Sequence, residues 1–124
     1  MNMFYTGLGI ARSLGENGIP VIGLTSQPRV YGNFTRYAKI VFCPDSRREP
    51  EALLAWLTKF GRDLGSRAVI FPTRDDDVAF LDRFRRELEP YFILTIPESK
   101  VLDGCLSKWE TYLWAERAGV STPS

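Results

Sequence analysis

AVIFPTRDDDVAFLDRFRREL, residues 68–88, reads as half of a βαβ unit and decides the fold class. Ala68, Val69, Ile70 and Phe71 form an uninterrupted apolar run, the pattern of a parallel-sheet strand buried on both faces. Pro72 ends the run, and Thr73 to Asp77 make a polar strand-to-helix junction. Val78, Leu81, Phe84 and Leu88 then recur at helical spacing on one face. Ligands of such sheets bind at the carboxyl ends of the strands, so Thr73-Arg74-Asp75-Asp76-Asp77 is the most exposed chemistry in the chain.

The same alternation continues on either side. Gly7-Leu8-Gly9 opens a helix that runs through Ala11 and Leu14, with Gly18 as its left-handed cap. Residues 20–25, PVIGLT, form a buried-type strand, 26–35 a loop and 39–42 a second short strand. Ser46-Arg47-Arg48-Glu49 has capping-box spacing ahead of Pro50, and Leu53, Leu57, Phe60 and Leu64 form the apolar stripe of the next helix, closed by Gly65. Beyond Pro90, residues 91–96 read as a strand and 97–104 as a short helix. Ser107-Lys108-Trp109-Glu110 is a second capping box, and it starts a helix with Trp109, Leu113 and Ala118 on its apolar side. The expected architecture is a Rossmann-like parallel α/β sheet flanked by helices.

Composition narrows the function. A chain of 124 residues with 44% hydrophobic content is one domain with a sizeable core, and 16 basic against 15 acidic residues give no electrostatic invitation to nucleic acid. No apolar run approaches the roughly 18 residues of a membrane span, and residues 1–5 lack the basic and apolar regions of a secretory signal, so the expected location is the cytoplasm. Cys43 and Cys105 are far apart and suggest neither a disulfide nor a thiolate zinc site. The chain has no histidine, which removes the usual general base and excludes Ser-His or Cys-His triads.

Several residues could touch a ligand, each with a plainer alternative. Gly7 and Gly9 can let backbone N–H groups approach a phosphate, or serve only close packing, since Arg12 stands where a dinucleotide fingerprint wants glycine. Asp75, Asp76 and Asp77 can favour the positive end of the helix that follows, and Thr73 or Asp75 can cap it; Asp75 and Arg74 can also face a ligand. Arg83, Arg85 and Arg86 fall on the solvent face. Arg36, beside Tyr37 at the entrance to a strand, suits a carboxylate or phosphate. Lys108 sits in a helix first turn, where a lysine is electrostatically misplaced unless an anion compensates.

In its order of features the chain resembles the N-terminal region of the ATP-grasp superfamily, and more narrowly its carboxylate–amine ligase-like members. The resemblance rests on residues 7–14, GLGIARSL, with 18–21, GIPV; on Thr35-Arg36-Tyr37; on Phe71-Pro72-Thr73-Arg74-Asp75; and on Ser107-Lys108-Trp109 with 118–123, AGVSTP. It implies a pre-ATP-grasp domain over residues 1–96 and a helical connector over 97–124 that leads into nucleotide-binding domains beyond Ser124. It also implies ATP and Mg²⁺ as cofactors of the full-length enzyme, none of them bound by this fragment, and a small carboxylate substrate activated as an acyl phosphate for attack by an amine or thiol. Lys108 matches the lysine that approaches the ATP phosphates, with Gly7 and Gly9 on the cofactor side. Arg36, Thr73, Arg74 and Asp75 fall on the substrate side, and no catalytic or metal-binding residue is expected within the fragment.

Two departures from the family pattern carry consequences. Ser107 stands where Asp or Asn is commoner, which gives the capping reading its own sufficient basis. The usual first strand is truncated to residues 3–5 at most, so the sheet is expected to expose an unpaired central edge that promotes homodimerisation or swapping unless residues 1–5 cover it. The reading from a different class is a stand-alone Rossmann-like module that binds a nucleotide or small acid, or mediates oligomerisation. An NAD-dependent enzyme is disfavoured by the broken glycine spacing and the absence of an acidic residue after PVIGLT.

Overall fold

A computed structural model describes residues 1–121. Its order is α1 (Tyr5–Glu16), β1 (Ile22–Thr25), a 3₁₀ turn (Tyr31–Phe34), β2 (Lys39–Phe42), α2 (Pro50–Leu64), β3 (Ala68–Ile70), α3 (Asp75–Arg83), α4 (Arg85–Leu88), β4 (Phe92–Leu94), α5 (Ser99–Leu106) and α6 (Lys108–Arg117). The protein is α/β, with parallel pairing throughout the described strands: β1 on β2 with Ile22 opposite Lys39, and β3 on β4 with Ala68 opposite Phe92. These form two separate two-stranded sheets. No described helix is long and apolar enough to cross a membrane.

The stripe on α2 does what its spacing promises. Leu53 and Leu57 are fully buried and join Leu24, Ile70, Phe80, Leu81, Phe84, Leu88 and Phe92 in one core. Each such side chain removed from water stabilises the fold by roughly 1.5–3 kcal/mol before entropy is counted. Gly65 ends α2 at φ 69°, where a β-carbon would be strained.

Several expectations are corrected. The central strand is not buried on both faces: Ile70 is 5% exposed, but Val69 is 50% and its neighbour Ile93 46% exposed. Alternate side chains point to opposite faces, and the core covers only the Ile70 side. The helix after the junction bends at Phe84 into α3 and α4, although Phe84 and Leu88 still donate to the carbonyls of Phe80 and Phe84. The first capping box is absent because the Glu49 N–H donates to the Asp45 carbonyl (2.9 Å), while the buried Ser46 hydroxyl is committed elsewhere. Neither Thr73 nor Asp75 caps α3, which has Arg74 at its N-cap position without a side-chain bond. Arg85 is half-buried rather than solvated, donating to Asp82 and to the Pro97 carbonyl.

The glycine turn and the last helix also differ from expectation. Helix α1 begins at Tyr5, so Gly7 and Gly9 lie inside it. The second capping box does form, with Ser107 Oγ accepting the Glu110 N–H at 3.3 Å. Trp109, however, is 68% exposed, and α6 buries none of its residues. It leans on α5 through Trp114, whose ring lies so close to Gly104 that a β-carbon there would be about 2.1 Å from it. Residues 122–123 of the resemblance fall outside the described residues.

Candidate functional site

The loops after β1, β2 and β3 gather at the carboxyl ends of the strands, and an ion-pair cluster occupies their centre. Arg74 Nη2 reaches Asp77 Oδ1 at 2.9 Å, Ser46 Oγ at 3.1 Å and Asp45 Oδ2 at 3.2 Å. Ser46 Oγ donates to Asp77 Oδ1 at 2.7 Å, and Ser26 Oγ to Asp45 Oδ2 at 2.9 Å. Asp77 is 1% exposed, so these partners take the place of water around its side-chain oxygens. Helical rotation of about 100° per residue explains the split within the acidic run: Asp77 turns inward, while Asp75 and Asp76 face solvent.

Asp45 is the best-supported carboxylate of the cluster. Burial by itself would raise it, but the Ser26 hydroxyl, the N–H groups of Arg47 and Arg48 and the Arg74 charge hold it down at about 2 against an ordinary 3.8. Because the folded value lies below the unfolded one, this stabilisation is complete above the unfolded value and is lost as pH falls through the folded one. The melting temperature should therefore drop between about pH 4 and about pH 2, and Asp45→Asn should flatten that drop when thermal unfolding is followed across the range. A variant that keeps the wild-type acid slope would refute the assignment.

Beside this cluster lies the amino terminus. The Met1 amino group donates to the Phe71 carbonyl, and the Asn2 N–H donates to the Leu24 carbonyl at 2.7 Å. Thr73 Oγ1 donates to the Met1 carbonyl, with the Asn2 carbonyl at 3.2 Å. Burial pulls the Met1 amine below its ordinary value, against the opposing charge of Asp77. Burial also pushes the Cys43 thiol up to about 11, which leaves it protonated and unreactive at neutral pH.

The structure does not bring the candidate residues of the sequence into one place. Thr73 and Arg74 stand at the rim, where Thr73 Oγ1 is bonded to Met1 and Asn2 and Arg74 Nη2 to Asp45, Ser46 and Asp77. Asp75 is exposed beside them. Arg36 lies toward the other end of the strands, just before β2, where it donates to Tyr37 Oη at 2.8 Å and lies 4.9 Å from that ring's centre. Gly7 packs on the Asn2 carbonyl so closely that a β-carbon would come within about 2.0 Å of its oxygen. Gly9 faces open space, and an N–H that far into a helix bonds to the carbonyl four residues behind it rather than to an external anion. Lys108 is exposed at the start of α6.

Sequence reasoning missed Asp45, Ser46 and the amino terminus as members of the rim. Only the Arg74–Asp77 spacing, a helical i,i+3 pair, offered a local signal. Among the described residues no group of three carboxylate, cysteine or histidine side chains converges. The cluster can lock three loops together. Within it one guanidinium is shared by two carboxylates, those of Asp45 and Asp77. Comparison of the chain with protein families, curated proteins and solved structures gave no match.

Proposed function

We propose that this chain is the substrate-side domain of an ATP-dependent carboxylate–amine or carboxylate–thiol ligase that acts through an acyl phosphate, and that it performs no catalysis by itself. The observation that carries this reading is α6. Its first turn is capped by Ser107 and presents Lys108, yet none of its residues is fully buried and it holds Trp109, Tyr112 and Trp114 at 68%, 38% and 37% exposure. A helix of that composition gains little stability from contact with α5 alone, and its aromatic face suits burial against further polypeptide. On this reading Lys108 contributes a phosphate contact and Asp75 a substrate contact, each from one wall of a larger site. The paired state of Arg74 agrees with a domain that supplies shape more than chemistry.

A second reading, a stand-alone binding module, draws support from an open groove between β1 and β3 of about 460 Å³. Calorimetric titration with ATP and Mg²⁺ separates the two: the ligase-domain reading expects no saturation up to millimolar nucleotide, and micromolar binding would favour the module. Hydrogen exchange gives an independent readout. Amides of α6 should exchange about a hundredfold or more faster than those of α2, since local opening free energy follows burial. Equal protection of the two helices would remove the basis of the ligase-domain reading.

A further inference from the structure

We propose that the flank of the molecule between α1 and residues 31–39 docks an acidic segment of another protein, with apolar side chains seated in two adjoining hollows and carboxylates against Arg12, Arg36 and Lys39. The proposal does not depend on the ligase reading, and the flank shares no residue with the ion-pair cluster of the rim.

Two close backbone approaches build this flank. At Gly32 a β-carbon would collide with the Met3 carbonyl oxygen, and at Gly15 of α1 one would lie 2.8 Å from the Tyr37 β-carbon. Both ends of the segment are therefore held against the chain that carries α1, at separations only glycine allows. The Tyr5 ring, 4.8 Å away between centres, steadies Tyr31 as well. With its walls already in place, the site loses little to ordering when a partner binds.

Between those contacts Leu8 and Arg12, one helical turn apart on one face of α1, border an open hollow of about 390 Å³ with Tyr31, Phe34, Arg36 and Tyr37. Leu8 is half-buried, and Phe34 is 83% exposed. Arg36 and Tyr37 also border a second hollow of about 280 Å³, lined further by Ile19, Pro20, Val21 and Lys39.

Charge and shape select the occupant. Neither hollow has a carboxylate among its lining residues, so three cations stand along one path. Glu16, one turn beyond Arg12, is close enough for its charge to act on Arg36, yet among the described residues no carboxylate forms an ion pair with Arg12, Arg36 or Lys39. Arg36 keeps further donors beyond the one given to Tyr37 Oη at 2.8 Å. Guanidinium groups beside aromatic rings are the composition of interface hot spots, and a carboxylate matches the guanidinium fork. A small anion would fill one open hollow and leave much of its surface in water. An extended segment spans both, and cations set between apolar walls match acidic residues alternating with apolar ones. A nucleic-acid strand asks instead for a continuous basic track, which the apolar linings interrupt.

The test is calorimetric titration of the chain with the unlabelled peptide Glu-Ile-Glu-Phe-Asp-Leu-Glu, acetylated and amidated. Saturable binding is expected, weakened about tenfold or more by Arg12→Glu, by Phe34→Ala and by a rise from about 0.05 to about 0.5 M salt. Both side chains are exposed, so neither variant should move the urea midpoint. A peptide with lysine in place of every acidic residue should not bind. Absence of saturation, equal affinity for the lysine peptide, or affinity unchanged by either variant overturns the proposal. Tighter binding of phenyl phosphate or of an oligothymidylate also overturns it, because it assigns the flank to a small anion or to nucleic acid. Dimerisation of the chain alone that Arg12→Glu abolishes does the same, because it assigns the flank to a second copy.

Discussion

Arg74→Ala is expected to lower the free energy of unfolding by about 3–5 kcal/mol, the typical cost of removing one partner from a buried ion pair. The loss arises from what is left behind. Asp77 is 1% exposed, and without the guanidinium its carboxylate would retain Ser46 alone as a side-chain partner. Asp45 would lose the same cation, but it keeps Ser26 and two backbone N–H groups and so suffers less. Urea unfolding with an unchanged m-value measures the effect. The double variant Arg74→Met, Asp77→Leu should recover much of the loss, since replacing both members of a buried pair by apolar groups is often close to neutral. A single-variant loss below about 1 kcal/mol would place the pair with ordinary surface salt bridges and remove its role as the clasp of the rim.

This cluster also marks where sequence reasoning stopped. The elements themselves were legible from local pattern: the stripe on α2, the apolar run of β3, the glycine that ends α2 and the serine that caps α6 each act over a few residues. The partners of Arg74 are separated from it by 28 and 29 residues on one side and by three on the other, and only the near pair has a sequence signature. The resemblance puts Arg74 and Thr73 on the substrate side, and in the structure they bond to Asp45, Ser46, Asp77, Met1 and Asn2. Periodicity could not show that the amino terminus and the loop after β2 bond to them. The arrangement of the described strands as two separate pairs, bridged at one end by residues 1 and 2, follows from backbone pairing that no side-chain pattern encodes.

The β3–β4 pair makes the second large prediction, because it carries neighbouring apolar residues with opposite fates. Ile70→Ala should cost about 2–5 kcal/mol, and Leu57→Ala a similar amount, since both side chains sit in the core and the surrounding helices can close the resulting cavity only in part. Val69→Ala, one residue away, should cost less than about 1 kcal/mol, because half of that side chain is already in water and the loss is mainly strand propensity. From sequence alone the run Ala68-Val69-Ile70-Phe71 treats the two positions as equals, and a strand covered on both faces would make their substitutions similarly costly. Denaturant unfolding of the three variants therefore reads the cover of the sheet directly. Comparable losses at Val69 and Ile70 would mean that the outer face is buried in solution by contacts the isolated chain does not have, and the one-sided core would have to be given up.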